Sequence, residues 1–149
     1  MRVMARIILV ASLLVAVACG GGSNPNAPSE ETLAGTWKAT RAEFANASNP
    51  GQRVEIVALG TTLTLTLDPG GTYTQKITDP GEAGQTTTGT WSSSKDVLTL
   101  RPAGISGNTQ FDMSMAGSTL TLSGGHVLFD VNGDGRDEEA ILNLALTRQ

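Results

Sequence analysis

The densest chemistry in this 149-residue chain lies between Asp130 and Glu138, where it reads Asp-Val-Asn-Gly-Asp-Gly-Arg-Asp-Glu. Side-chain oxygens fall at 130, 132 and 134, and Gly135 follows them. Oxygen donors on alternate residues, with a glycine to let the chain bend, can wrap one hard cation such as calcium. The same letters also suit a polar hairpin tip, because Asn-Gly and Asp-Gly are favoured turn dipeptides and charges there discourage edge pairing. Both readings stay open. Elsewhere the chemistry is thin: His126 is the only histidine and Cys19 the only cysteine. No nucleophile, base and orienting group can be assembled from such a set, so the chain does not read as an enzyme. His126, between Gly124-Gly125 and the next apolar run, reads as a solvated turn residue. There is no glycine-rich phosphate loop opening a helix and no basic groove interleaved with aromatics.

The loop 130–138 resembles the calcium loops of EF-hands, dockerins and related repeats. That resemblance implies side-chain ligands from Asp130, Asn132 and Asp134, the carbonyl of Arg136, and Glu138 at the ninth position. Ile141 stands where an EF-hand has its bidentate glutamate, and strands rather than helices flank the loop. The implied site is therefore short of ligands and needs calcium at about 10⁻⁴ to 10⁻³ M.

The amino terminus carries a second chemical handle. Arg2 and Arg6 precede an apolar run from Ile7 to Ala18, which is too short to span a bilayer and has the form of a secretory signal peptide. Ala16-Val17-Ala18-Cys19-Gly20 resembles the lipobox of bacterial lipoproteins, in which the cysteine thiol takes a diacylglycerol after cleavage before it. The expectation is a signal peptide over 1–18, lipidated Cys19 with a flexible tether over 19–31, and one folded domain over 32–149. Gly20 through Glu31 holds nothing apolar larger than alanine or proline. With Cys19 acylated, the mature chain has no internal disulfide and depends on its core. Loss of Arg2 and Arg6 leaves a net charge of about −6, so nucleic acid is not an expected partner and the acyl chains, not surface charge, are the membrane attachment. Gly20 rather than Asp after the cysteine, by resemblance to sorted lipoproteins, implies the outer membrane, facing the periplasm or the cell surface.

Those residues need a scaffold, and the remainder of the chain describes one. From Thr32 onward short alternating runs are separated by Gly, Pro, Asn and Asp. Leu63, Leu65 and Leu67 alternate with Thr62, Thr64 and Thr66, the pattern of a half-buried strand. Strands are predicted near 36–44, 61–67, 72–78, 86–93, 97–101, 109–115, 118–123, 127–131 and 139–147, with Gly124-Gly125 as a turn. Arg53 to Leu59 fits either one helical turn or a short strand. A meander this long leaves two unpaired edges unless it closes, so the predicted fold is all-β: an up-and-down antiparallel barrel of about eight or nine strands, with a two-sheet sandwich second.

Leu33-Ala34-Gly35-Thr36-Trp37 opens the first strand, Arg148 follows the last, and together they resemble the Gly-x-Trp signature of lipocalins and related calycins, most closely the short bacterial lipocalin-like lipoproteins. The resemblance implies that Trp37 closes one end of the barrel with Arg148 over its ring, and that the lumen takes a small apolar or amphiphilic molecule. Alternation counted from Trp37 turns Ala39 and Arg41 inward. Arg41 then either snorkels from the mouth, pairs with a carboxylate such as Glu43, or fixes the acidic head of a fatty-acid-like ligand. In the last case Tyr73 and Gln75 add hydrogen bonds, and Leu63, Leu65 and Met113 line the tail. The alternative function is a barrel filled by its bulky residues, among them Leu98, Leu100, Phe111, Leu120 and Leu122. Such a protein acts through its surface as a structural or partner-binding envelope lipoprotein, its protein partner unspecified by the sequence.

Overall fold

The computed structural model describes residues 27–149; the expected signal peptide over 1–18, Cys19 and most of the expected tether lie outside the described residues. Ser29 caps a single helical turn, α1 (Glu30–Leu33), by accepting the Thr32 N–H on its hydroxyl, with Glu30 and Glu31 in the first turn where negative charge is favoured. These two glutamates, read above as the end of the tether, thus belong to the folded unit. Nine strands follow: β1 (Gly35–Asn46), β2 (Arg53–Glu55), β3 (Thr62–Leu67), β4 (Thr72–Thr78), β5 (Gln85–Ser94), β6 (Val97–Pro102), β7 (Thr109–Ala116), β8 (Thr119–Phe129) and β9 (Glu138–Arg148). All neighbours are antiparallel, in sequence order from β3 to β9, and β1 pairs with both β3 and β9. Eight strands therefore close into an up-and-down barrel, and β2 is an extra strand on the upper half of β1. Among the described residues no helix is long and apolar enough to cross a membrane.

The count of nine is reached by a different route from the one the sequence suggests. Runs 118–123 and 127–131 are one strand, β8. Gly124-Gly125 does not turn the chain but bulges it: Leu122 pairs with Leu144 and Gly125 with Leu142, leaving Ser123 and Gly124 opposite Asn143 alone. Gly124 takes φ +76, and its N–H is bound by the Asn143 side chain at 3.1 Å, so the bulge leaves no orphaned donor there. A bulge and a tight turn use the same glycine chemistry. The ninth strand is supplied by β2, the ambiguous Arg53 to Leu59 segment. It is a short strand followed by a turn in which the Leu59 and Thr61 amides both bond the Ile56 carbonyl.

β1 contains a second bulge, between Ala39 and Arg41, with Thr40 as the extra residue. Strand alternation below it buries Trp37 and Ala39, and above it buries Ala42 and Phe44. The shift of one residue is what changes the faces. The core runs from end to end, and its fully buried members include Leu33, Trp37, Leu65, Leu98, Leu122 and Leu146.

Candidate functional site

The two ends of the barrel are built differently. At the end where β1 begins and β9 finishes, α1 lies across the opening. Trp37 is wholly buried there and donates its indole N–H to the Leu33 carbonyl at 2.8 Å. Arg148 stands with its guanidinium carbon 4.5 Å from the Trp37 ring centroid and donates to the carbonyls of Ala34, at 2.9 Å, and of Thr32. One cation thus packs on the ring and ties α1 to β9, an attraction worth about 0.5 to 2 kcal/mol. Gly35 makes the approach possible, since a β-carbon there would lie 2.5 Å from an Arg148 nitrogen. Trp91, in a further Gly-x-Trp at Gly89-Thr90-Trp91, sits at the same end and donates to the Asp68 carbonyl at 2.8 Å. It holds the β3–β4 turn.

The opposite end is open. A cavity of about 300 Å³ enters the barrel there, with Phe44, Ile56, Ile77, Leu100, Phe111 and Leu142 among its walls. Its polar lining is Tyr73, Gln75, Thr87 and Thr109, and its one charged residue is Asp79. Two strand glycines set its shape by letting neighbouring rings lie flat across them. A β-carbon at Gly89 would overlap the Arg101 carbonyl and stand 2.7 Å from the Tyr73 ring, and one at Gly125 would overlap the Phe111 ring. At the mouth, Phe44 and Phe129 stack with centroids 3.9 Å apart, and Leu128, on the same rim, is exposed.

Tyr73 is buried, and that burial pushes its hydroxyl above the ordinary phenol range, so it stays a neutral donor. Among the described residues no fully buried side-chain oxygen or nitrogen lacks a partner. The Tyr73 hydroxyl, which bonds no group among the described residues, accordingly faces the cavity. On the rim Asp79 accepts the Thr61 hydroxyl at 2.5 Å, which fixes one of its two oxygens.

Arg41 is not part of this site. The bulge at Thr40 turns it outward, where it is largely exposed and pairs with Glu43 at 2.6 Å. The Glu43 pairing considered from sequence exists, but on the outside of the barrel. Leu63, Leu65 and Met113 are buried in the core and do not reach the cavity wall; Tyr73 and Gln75 do. The sequence assigns Asp79 and Ile56 no place in a site, and Gly125, expected in a turn, lies instead in a strand against the cavity wall. The signal available for the glycines was a residue without a side chain inside a strand, beside a strand carrying an aromatic.

The 47–61 segment that brings Ile56 to the cavity is pinned by Glu55. Its Oε1 accepts the N–H of Ala42 at 2.7 Å and of Val57 at 3.1 Å, and its Oε2 accepts that of Ala58 at 2.6 Å. Ala42 lies between the stretches of β1 paired with β3 and with β2, so a carboxylate stands in for a missing strand partner. Burial alone pushes Glu55 up. The amides of Ala42, Ala58 and Val57, with the Arg41 charge, outweigh it and hold the carboxyl below its usual range.

His126 lies within β8 rather than in a turn, facing outward with Nδ1 2.9 Å from Glu139 Oε1. The loop 130–137 winds around its own side chains. Asp130 accepts the amides of Gly133, Asp134 and Gly135, Asn132 accepts that of Asp134, and Asp134 accepts that of Arg136. Glu138 is turned toward Asn46, whose amide lies 3.5 Å from Oε1. Among the described residues no three His, Cys, Asp or Glu groups gather as a metal would require; the inner donors here are two carboxylates and one amide.

A closed eight-stranded meander sealed at one end by a buried tryptophan and open to a cavity at the other is the architecture of a small ligand-binding barrel. A family described as a lipocalin-like domain matches residues 33–122, more than half of the chain, and the protein belongs to that family. The matched stretch runs from the end of α1 to the bulge in β8; the rest of β8 and β9 complete the closure. No curated protein matches the sequence.

Proposed function

We propose that the protein is a membrane-anchored, lipocalin-like binding lipoprotein that holds a small apolar or amphiphilic molecule in the cavity at its open end. The observation that carries this reading is the cavity itself. Its volume of about 300 Å³ is at the lower bound of ordinary ligand sites, and its walls combine apolar side chains with a few neutral polar groups. A barrel filled throughout, the alternative, accounts for the Trp37 end but not for this space. Members of such a family are in general binding proteins. Attachment through lipid on Cys19, with the domain on the outer membrane, rests on the lipobox-like residues 16–20.

Native mass spectrometry of the protein extracted from the cell envelope tests the binding reading: a retained small molecule is expected, and loss of all adducts with a cavity that excludes hydrophobic dyes favours the filled barrel. Anchoring has its own test. Cys19→Ser should leave protein that no longer partitions into detergent, and unchanged partitioning refutes the lipid anchor.

A second reading, calcium at the 130–138 loop, is supported by Asp130, Asn132 and Asp134, whose side-chain oxygens are all oriented by amides of the same short loop. With Arg136 contributing only its carbonyl and Glu138 turned aside, the ligand set is short, in keeping with binding at millimolar calcium.

A further inference from the structure

The cavity's charge pattern says which end groups it accepts, and this step rests on the binding reading above. Arg41, one of whose readings from sequence is to receive a carboxylate, is outside the barrel, and no lysine, arginine or histidine is among the described residues lining the cavity. The single charged residue on that lining is a carboxylate, Asp79, placed on the rim. Thr61 occupies one of its oxygens, donating at 2.5 Å, and is itself buried, so the carboxylate is held in one orientation with its second oxygen free. The loops around the mouth strengthen the bias: segments 47–61, 79–84, 103–108 and 130–137 carry six acidic residues against two arginines, Arg53 and Arg136. Charges that share one rim add their potentials over a Debye length of about 8 to 10 Å. Deeper inside, Tyr73 and Gln75 are neutral.

We propose that the cavity takes amphiphiles with a cationic head, an alkylammonium in chemical class, with the apolar body inside the barrel and the head beside Asp79 at the rim. An anionic head of the same shape meets the Asp79 carboxylate on a rim with more acidic than basic residues. Placing it there costs the desolvation of a charge without a partner. A neutral hydroxyl head bonds Tyr73 or Gln75 and lies between the two. The selection is therefore opposite to that of a site built for fatty acids.

The test uses three probes with one alkyl chain, decylamine, decanol and decanoate, bound below their micellar concentrations to the folded protein at neutral pH and low salt. Calorimetry should rank decylamine first, decanol next, and decanoate at least about tenfold weaker than decanol. Asp79→Asn should weaken decylamine by about three- to fivefold and leave decanol unchanged, as suits an exposed ion pair. Salt should erase the same difference. Decanol binding with decanoate equal to or tighter than decylamine overturns the head-group inference and leaves the pocket standing. So does an unchanged decylamine affinity in Asp79→Asn. Failure of all three probes to bind overturns the pocket reading itself. Asp79 is exposed, and a melting curve of the variant matching the parent shows that any loss is not a loss of fold.

Discussion

The two ends of the barrel share strands and differ in what those strands enclose. At the Trp37 end a buried indole fills the lumen, and a helical turn and a guanidinium cover it and satisfy one another. At the Phe129 end the same strands hold their aromatics against glycines and leave the middle empty. A side chain at the first end is therefore a stability element and one at the second a binding element. That division follows from which positions lack a β-carbon: Gly35 admits Arg148 onto the core, whereas Gly89 and Gly125 let Tyr73 and Phe111 lie back against the wall.

The largest expected effect breaks the filled end. Trp37→Ala removes a fully buried ring, its hydrogen bond to Leu33 and the platform for Arg148. Destabilisation by about 3 to 5 kcal/mol is expected in denaturant melts. Leu128→Ala, exposed on the open rim, should cost less than about 0.5 kcal/mol in the same assay. Comparable losses at the two sites would erase the distinction.

Next in size is a change that turns the open end into a filled one. In Gly125→Ala the new methyl overlaps the Phe111 ring, which must swing toward the cavity or move the strand. Overpacking of this kind costs about 1 to 3 kcal/mol. Decanol binding should fall sharply even where the variant remains folded, while Gly70→Ala, in the β3–β4 turn at the closed end with nothing near its β-carbon and no left-handed φ, should leave binding unchanged. Full binding by Gly125→Ala would show that the ring is not a cavity wall.

Much of the barrel was legible because period-two alternation reports facing directly: Leu63, Leu65 and Leu67 could point only one way, and the Gly-Thr-Trp at 35–37 marked where the first strand starts. Closure followed from the number of strands and the shortness of their links. Two features escaped for one reason. Bulges at Thr40 and at Ser123-Gly124 each break the alternation without leaving a distinctive residue pattern, so Arg41 was assigned to the lumen and β8 was split in two. The cavity escaped for another. Alternation tells which face a residue is on but not its height along the barrel, and Leu98 in the core and Leu100 at the cavity, two residues apart on β6, read alike.

A smaller effect is expected at the 130–138 loop, beyond the rim and outside the matched part of the family. With a dissociation constant near 1 mM, 10 mM calcium stabilises the fold by about 1.4 kcal/mol. Melting midpoints should rise by a few degrees with calcium and return with chelator. Asp134→Ala should remove the rise. Identical curves with calcium and chelator would leave the loop as a turn held by its own side chains.

The smallest expected effect is local and depends on pH. Glu55 is held below the usual carboxylate range in the folded protein, and its hydrogen bonds to Ala42, Val57 and Ala58 need the ionised form. A depressed folded-state value means that its contribution is complete above the unfolded value of about 4.3 and is lost as pH falls through the lower folded value. Neutral and mildly acid solutions therefore leave the 47–61 segment pinned, and only stronger acid releases it. The release should appear in hydrogen exchange as a loss of protection at the Ala42, Val57 and Ala58 amides, while Trp37 at the filled end keeps its protection over the same range. Glu55→Gln carries no charge to lose, so its protection should be low at these amides and flat with pH. Because Ile56 follows Glu55 directly and lines the cavity, decanol affinity should decline in step with that loss. If the amides of both ends lose protection together, the segment is not an independent unit and the division between filled and open ends does not extend to their stability.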